Sequence, residues 1–306
     1  MILGVIADDF TGATDVASML VRAGLRTTLV VGVPRGPAPA SGTTADAIVV
    51  ALKSRTVPAT DAVRESLAAL RWLQAAAGAA GLRQCYFKYC STFDSTPAGN
   101  IGRVLDALLD ALENSPGAGF TIACPAFPEN GRTVFHGHLF VGDQLLSDSG
   151  MRDHPLTPMT DSNLVRVLQA QCQRRVGLIR HDTVAQGVAA VRERITALRS
   201  EGISVAVTDA IANADLRVLG EACADLPLVT AGSARSVSVR APRARRPACV
   251  LLATPPPAHW WRANRSLTTP PPGRASHRAG PPAHRAGPSR ARHRRRAGRA
   301  PGPSRP

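Results

Sequence analysis

The sequence predicts an α/β protein over residues 1–234, with an open, mainly parallel sheet flanked by helices, followed by a disordered Arg/Pro/Ala-rich tail over 235–306. Three observations lead there. Short, uniformly apolar runs alternate with stretches of ten or more residues at helical period, the pattern of βαβ units whose strands are covered on both faces. Polar clusters recur directly after several of those runs. The composition then changes abruptly near Gly232-Ser233-Ala234: from Arg235 to Pro306 there are 17 Arg, 14 of the chain's 25 Pro, and no Lys, Asp or Glu. Removing those 17 Arg from 37 basic residues leaves 20 against 22 acidic ones in 1–234, so the body carries −2 and the formal +15 belongs to the tail. Aromatics make up only 4% of the chain, so the core must rest on Ala, Val, Leu and Ile.

Ile2 to Ile6 is apolar apart from Gly4 and reads as a central strand, with Asp8 and Asp9 at its end. Thr11 is the expected N-cap of the next helix, whose stripe is Ala13, Val16, Ala17, Leu20 and Val21, and Gly12 with Ala13 keeps the turn slim. Thr27 to Val31 and Ala47 to Ala51 are strands separated by a Pro/Gly/Ser loop over Gly32 to Thr44. Pro58 to Ala77 has helical period, Gln84 to Lys88 is a strand, and Ile101 to Leu112 is a helix. Phe120 to Cys124 is a strand, and Val134 to Val141 reads as a hairpin. Thr160 to Ala170 is expected as a helix with Asp161 in its first turn. Strands Val176–Ile179, Ile203–Thr208 and Leu226–Thr230 then alternate with helices Ala189–Leu198 and Asp215–Ala224.

Four polar clusters share one position, just past a strand: Asp8/Asp9, Lys53/Ser54/Arg55, Lys88 with Asp94/Ser95/Thr96, and Glu129/Asn130/Arg132. In a parallel sheet those positions converge on the carboxyl edge, where α/β proteins bind ligands. Lys53 and Lys88 are the only two lysines in the chain, and both fall in these clusters. Arg binds carboxylate or phosphate with a two-pronged fork and Lys acts as a point charge, so the set suits an anionic, hydroxyl-rich small molecule. Asp accepts sugar hydroxyls, and one carboxylate here can take a hydroxyl proton in phosphoryl transfer. Asn100 either lines the site or caps the helix that follows it.

Several classes fall away. No apolar run is long enough to span a membrane, and the apolar start lacks a basic flank and contains Asp8 and Asp9. The six cysteines show neither a CxxC pair nor metal spacing, which predicts free thiols in the cytoplasm. His136 and His138 are two apart on an expected strand, but without a third ligand no metal is assigned. No Walker A or GxGxxG pattern occurs in 1–234, so no nucleotide site is legible there.

At these clusters the chain resembles the four-carbon acid sugar kinases, the 3-oxo-tetronate kinases most closely. The matching stretches are IADDFTGATDVA (6–17), ALKSRT (51–56), FKYCSTFDSTPAGNIG (87–102), CPAFPENGRTVFHGHLFVGD (124–143) and SGMRDHPLTPMTD (149–161). The resemblance implies an N-terminal α/β domain that binds the sugar acid and a C-terminal domain that binds ATP. It implies phosphorylation of a terminal hydroxyl with ATP and Mg2+, and site roles for Asp8, Asp9, Arg55, Lys88, Asp94, Ser95, Asn100 and Arg132. Whether Asp8 or Asp9 is the base stays open.

The resemblance stops near Leu228-Val-Thr-Ala-Gly-Ser233, the family's usual entry into its second domain. Beyond the brief Ala248 to Ala253 the tail has no apolar periodicity and too little apolar surface to offset chain entropy. A frameshift in GC-rich coding DNA accounts for the abrupt boundary and for the missing acids and lysines. The alternatives are a natural basic arm that binds nucleic acid or another anionic surface through its arginines, and a genuine variant whose tail has a function of its own. With the ATP-binding domain replaced, the chain as it stands is expected to be inactive.

Overall fold

A computed structural model describes residues 2–36, 45–78, 81–232 and 249–252. The rest of the tail, and residues 37–44 of the expected Pro/Gly/Ser loop, lie outside the described residues. The strands are β1 (Ile2–Ala7), β2 (Thr27–Val31), β3 (Ala47–Ala51), β4 (Leu82–Lys88), β5 (Thr121–Cys124), β6 (Arg132–Phe135), β7 (His138–Val141), β8 (Gln144–Leu145), β9 (Val176–Ile179), β10 (Val205–Thr208), β11 (Leu228–Ala231) and β12 (Cys249–Leu252). Among the described residues, nine of them make one sheet in the order β12-β2-β3-β1-β4-β11-β5-β10-β9. Every pairing given for it is parallel.

The helices are α1 (Phe10–Arg22), α2 (Ala59–Ala77), α3 (Ile101–Ala111), α4 (Leu164–Gln169), α5 (His181–Ala185), α6 (Val188–Ser200) and α7 (Asn213–Ala222). β1 sits inside the sheet, and Leu3, Val5, Ile6 and Ala7 are all buried. From β1 the chain leaves toward β2 on one side, and from β4 it leaves toward β5 on the other. The boundary between β1 and β4 is therefore the topological switch point, where a crevice opens at the carboxyl ends of the strands. The core is mainly aliphatic, with Phe120 buried at the amino end of β5 and an aromatic group beside that crevice. There Phe87, Tyr89 and Phe93 pack edge to face, with centroids 5.8 and 5.4 Å apart.

Several expectations are corrected. Helix α1 starts at Phe10, not after Thr11, because the Asp9 carboxylate accepts from Gly12 N at 3.2 Å and so takes the N-cap. Residues 160–163 are not helical: Asn163 caps α4 by accepting from Arg166 N (3.1 Å), and Asp161 lies outside it, paired with Arg166 at 2.8 Å. His136 and His138 do not share a strand face, since β6 ends at Phe135 and His136 turns the hairpin with φ +49°. Helix α5 was not foreseen. The expected tail is not wholly irregular: Cys249–Leu252 pairs in parallel with Thr27–Val30 as the edge strand β12. Four apolar residues in a row sufficed for an edge strand against β2.

Strands β6, β7 and β8 form a separate antiparallel sheet. It is tied to the main body by bridges from Val134 to Ala210 and from His138 to Asn163. Asp209 anchors the same hairpin: its carboxylate accepts from His136 N (2.8 Å), Gly137 N (2.8 Å) and His181 N (3.0 Å).

Candidate active site

The site begins with main-chain bonds. Asp8 N donates to Lys88 O (3.0 Å), while Asp8 O accepts from Ser54 N (2.9 Å) and Arg55 N (3.2 Å). The ends of β1, β3 and β4 are thus tied together before any side chain is considered. Arg55 folds back over Asp8 in a two-pronged pair, Nε to Oδ2 and Nη2 to Oδ1, both 2.9 Å. Nη2 also meets Asp9 Oδ1 at 2.7 Å, and Nη1 reaches Asp94 Oδ2 at 3.4 Å.

Lys88, the last residue of β4, puts Nζ 3.2 Å from Asp9 Oδ1 while only 3% exposed. Gly12 makes that possible: a Cβ at Gly12 would stand 1.5 Å from Lys88 Nζ and 2.5 Å from Asp9 Oδ1. One oxygen of Asp9 therefore caps α1 and receives both cations.

Asp94 arrives on the loop after β4. Its Oδ1 accepts from Thr92 Oγ1 at 2.5 Å. Phe93 and Asp94 both have left-handed backbone, φ +64° and +37°, a conformation that costs residues with side chains about 1–3 kcal/mol each. Burial of the Phe93 ring against Tyr89 offsets that strain. Strain kept in a loop that aims a carboxylate is characteristic of functional sites.

The electrostatics separate the two leading aspartates. Asp8 is 4% exposed, and burial pushes its carboxyl above the usual range, with Arg55 and Lys88 opposing. Burial also acts on Asp9, but Lys88 and Arg55 outweigh it and hold that carboxyl below the usual range. The Asp9 side chain is 26% exposed against 6% for Asp8. Asp8, Asp9 and Asp94 against Arg55 and Lys88 leave the five-residue cluster at −1. Arg55 and Lys88, expected from sequence to face these aspartates and to serve an anionic ligand, are paired with the aspartates in the structure.

Three further sequence-predicted residues sit differently. Asn100 stands at the N-cap position of α3 but does not cap it; its amide donates to the Ser54, Arg55 and Val57 carbonyls. Ser95 is 2% exposed and donates to Gln171 Oε1 at 3.2 Å. Arg132 lies on the β6 hairpin, donates to Asn130 O, and has a buried Nε with no hydrogen-bond partner. Glu129 accepts from Asn213 at 3.0 Å. The structure thus brings together Asp8, Asp9, Arg55, Lys88 and Asp94, and gives no contact from Ser95 or Arg132 to them. Sequence reading missed Thr92 and Gln171. Thr92 was within reach as a hydroxyl two residues before Asp94, whereas nothing in the sequence near Gln171 points to a loop some 70 residues earlier. Among the described residues no group of three or more His, Cys, Asp and Glu is arranged to hold a metal, and no helix is long and apolar enough to cross a membrane.

The family model described as the sugar-binding N-terminal domain matches residues 3–238. A 3-oxo-tetronate kinase from Pseudomonas savastanoi pv. phaseolicola is 65% identical over 232 residues, 76% of this chain and 52% of that protein. The chain thus spans about half the length of the curated relatives it matches. A solved Haemophilus influenzae protein superposes with a TM-score of 0.70 at 51% identity, covering 75% of this chain and 53% of that one. A Bordetella bronchiseptica domain solved with bound citrate as a domain-swapped dimer gives a TM-score of 0.61 at 29% identity, covering 78% and 55%.

Proposed function

This chain belongs to the four-carbon acid sugar kinase family through its sugar-binding N-terminal domain, and we propose that residues 1–234 bind a four-carbon sugar acid for phosphorylation of a terminal hydroxyl, as in a 3-oxo-tetronate 4-kinase. The observation that carries this is the asymmetry of the aspartate pair at the β1/β4 switch point. Asp8 is locked in a two-pronged bond to Arg55, while Asp9 is oriented by Lys88, Arg55 and Gly12 yet keeps an exposed edge.

In this reading Asp9 accepts the substrate hydroxyl and takes its proton as the phosphoryl group is transferred. Asp8 orients Arg55, and Asp94 accepts a second hydroxyl. The cluster's net −1 disfavours the substrate's own carboxylate there. Arg132, with its unpaired Nε at the start of β6 in the segment that follows β5, is the candidate to receive it. The citrate in the Bordetella relative is consistent with a site for hydroxy acids. Ser95 then serves by shaping its loop.

ATP and Mg2+ enter through the family. The cluster's oxygens do not fit a resident cation: both Asp8 oxygens face Arg55, and Asp9 Oδ1 already receives three donors. No step is drawn through either group. Catalysis of phosphoryl transfer is chiefly positioning and charge stabilisation. With half of each kinase relative matched, the 306 residues alone are expected to bind the acid and not turn it over. Residues 235–306 are taken as lying beyond the sugar-acid-binding domain, apart from the edge strand β12 (Cys249–Leu252) that joins its sheet.

Titration of the full chain with erythronate and threonate, followed by NMR and by an ATP-coupled assay, tests this. Expected are shifts at Asp9 and Asp94, abolished by Asp9→Asn, with no turnover. If neither acid binds more tightly than about 10 mM, or binding survives Asp9→Asn, the assignment fails. Turnover within about tenfold of a full-length relative would reject the inactivity.

A further inference from the structure

We propose that Asn100 and Gln171 form a two-amide clamp at the start of α3, and that this clamp, rather than any direct ligand contact, is what Asn100 contributes to the site. An Asn at an N-cap position ordinarily adopts an extended backbone and turns its side-chain oxygen onto the first amides of its own helix. Asn100 does neither: its backbone is helical (φ −102°, ψ −17°) and its side chain makes no cap bond. Its Nδ2 instead donates to Ser54 O (2.8 Å), Val57 O (2.8 Å) and Arg55 O (3.2 Å). Two hydrogens serve three carbonyls, so the longest contact is shared. These carbonyls belong to the turn that carries Arg55 to Asp8, Asp9 and Asp94.

The cap that Asn100 gives up comes from elsewhere. Gln171, just past α4 and 5% exposed, accepts from Gly102 N at 3.0 Å through Oε1, satisfying an amide of the first turn of α3. The same oxygen receives Ser95 Oγ (3.2 Å), and Gln171 Nε2 donates to Thr96 O (2.8 Å). The two amides therefore hold both loops that feed the cluster, Asn100 the one bearing Arg55 and Gln171 the one bearing Asp94. Gly102 makes room for Gln171, and Gly99 for its partner Ser95. A Cβ at Gly102 would lie 2.6 Å from Gln171 Cβ, and one at Gly99 would lie 2.0 Å from Ser95 Oγ.

Both residues are positioning residues. Their bearing on sugar-acid binding rests on the proposed function, but the clamp itself is readable without ligand. The probe is the Arg55 Nε–H resonance and its exchange with solvent in the full chain. Asn100→Ser is the informative variant, since Ser is a good N-cap but too short to reach three carbonyls across the turn. Expected is Arg55 Nε–H exchange faster by at least about tenfold, the effect of losing one buried anchoring hydrogen bond, with cooperative unfolding retained. Gln171→Leu should release the Asp94 loop and broaden the Thr92 and Asp94 resonances, and Gln171→Glu, which keeps the acceptor for Gly102 N, should restore part of the order. Unchanged Arg55 exchange in folded Asn100→Ser overturns the clamp. Should that variant not fold, the Gln171→Leu and Gln171→Glu pair decides, and identical Asp94 spectra in both overturn it. Loss of erythronate binding with an intact clamp signature would count against the proposed function alone.

Discussion

Replacing Arg55 with Met removes the cation from above Asp8 while keeping much of the stem volume. In the folded protein Asp8 is 4% exposed, its main-chain groups are engaged by Lys88, Ser54 and Arg55, and its carboxylate faces the Arg55 fork at 2.9 Å on both oxygens. Taking one partner from a buried pair leaves an uncompensated charge, at a cost of about 3–5 kcal/mol. The upper end applies, because Asp9 and Asp94 lose the same guanidinium. A loss of that size is a large share of the roughly 5–15 kcal/mol that keeps a domain folded. Urea denaturation of the full chain at pH 7 measures it, and Asp8→Asn combined with Arg55→Met should recover about 2 kcal/mol or more by removing the stranded charge. The pH dependence has a definite sign. Burial already holds the Asp8 carboxyl above the unfolded value of about 3.9, and without Arg55 only Lys88 still opposes it, so the folded pKa rises further. Its neutral form is then the compatible one, so stability is retained below that pKa and falls as pH rises through the folded value. Arg55→Met should therefore be least damaging in acid. A cost under about 1 kcal/mol at pH 7, or a double variant no better than the sum of its parts, would refute the view that Asp8 and Arg55 form the fixed base of this site.

Two other outcomes are expected. Gly12→Ala places a methyl within 1.5 Å of Lys88 Nζ and should drive the ammonium off Asp9, with a loss of about 1–3 kcal/mol in urea melts; a neutral effect would show that Lys88 has room elsewhere. Asp9 is held below the usual carboxylate range by Lys88 and Arg55 against burial, so its contribution is full above the unfolded pKa of about 3.9 and lost as pH falls through the lower folded value. Asp9→Asn should flatten that acid limb of the stability curve, and an unchanged limb in thermal melts would count against the ion pairs.

The framework was legible because it depends on local pattern. The short apolar runs at 2–6, 47–51 and 120–124, bounded by turn signals, read as strands covered on both faces, and helical period marks α1, α2, α3 and α6. A parallel sheet then sends every strand end to one edge, so Asp8, Asp9, Arg55, Lys88 and Asp94 were placed together without coordinates. Family membership was equally a property of sequence, being carried by contiguous motifs. What only the tertiary structure decided was partnership. Sequence reading set Arg55 and Lys88 facing Asp8, Asp9 and Asp94 but could not say which cation meets which carboxylate, and the fold gives those pairs at 2.7–3.4 Å across strand ends. It could not separate Asp8 from Asp9, adjacent residues of one type, because a single step past the strand changes burial and therefore charge energetics. Nor could it find Gln171, whose bonds to Ser95, Thr96 and Gly102 span roughly 70 residues. Strand and helix are set by neighbours in sequence, but hydrogen bonds and ion pairs at a sheet edge are set by which loops the packed layers bring to the same point.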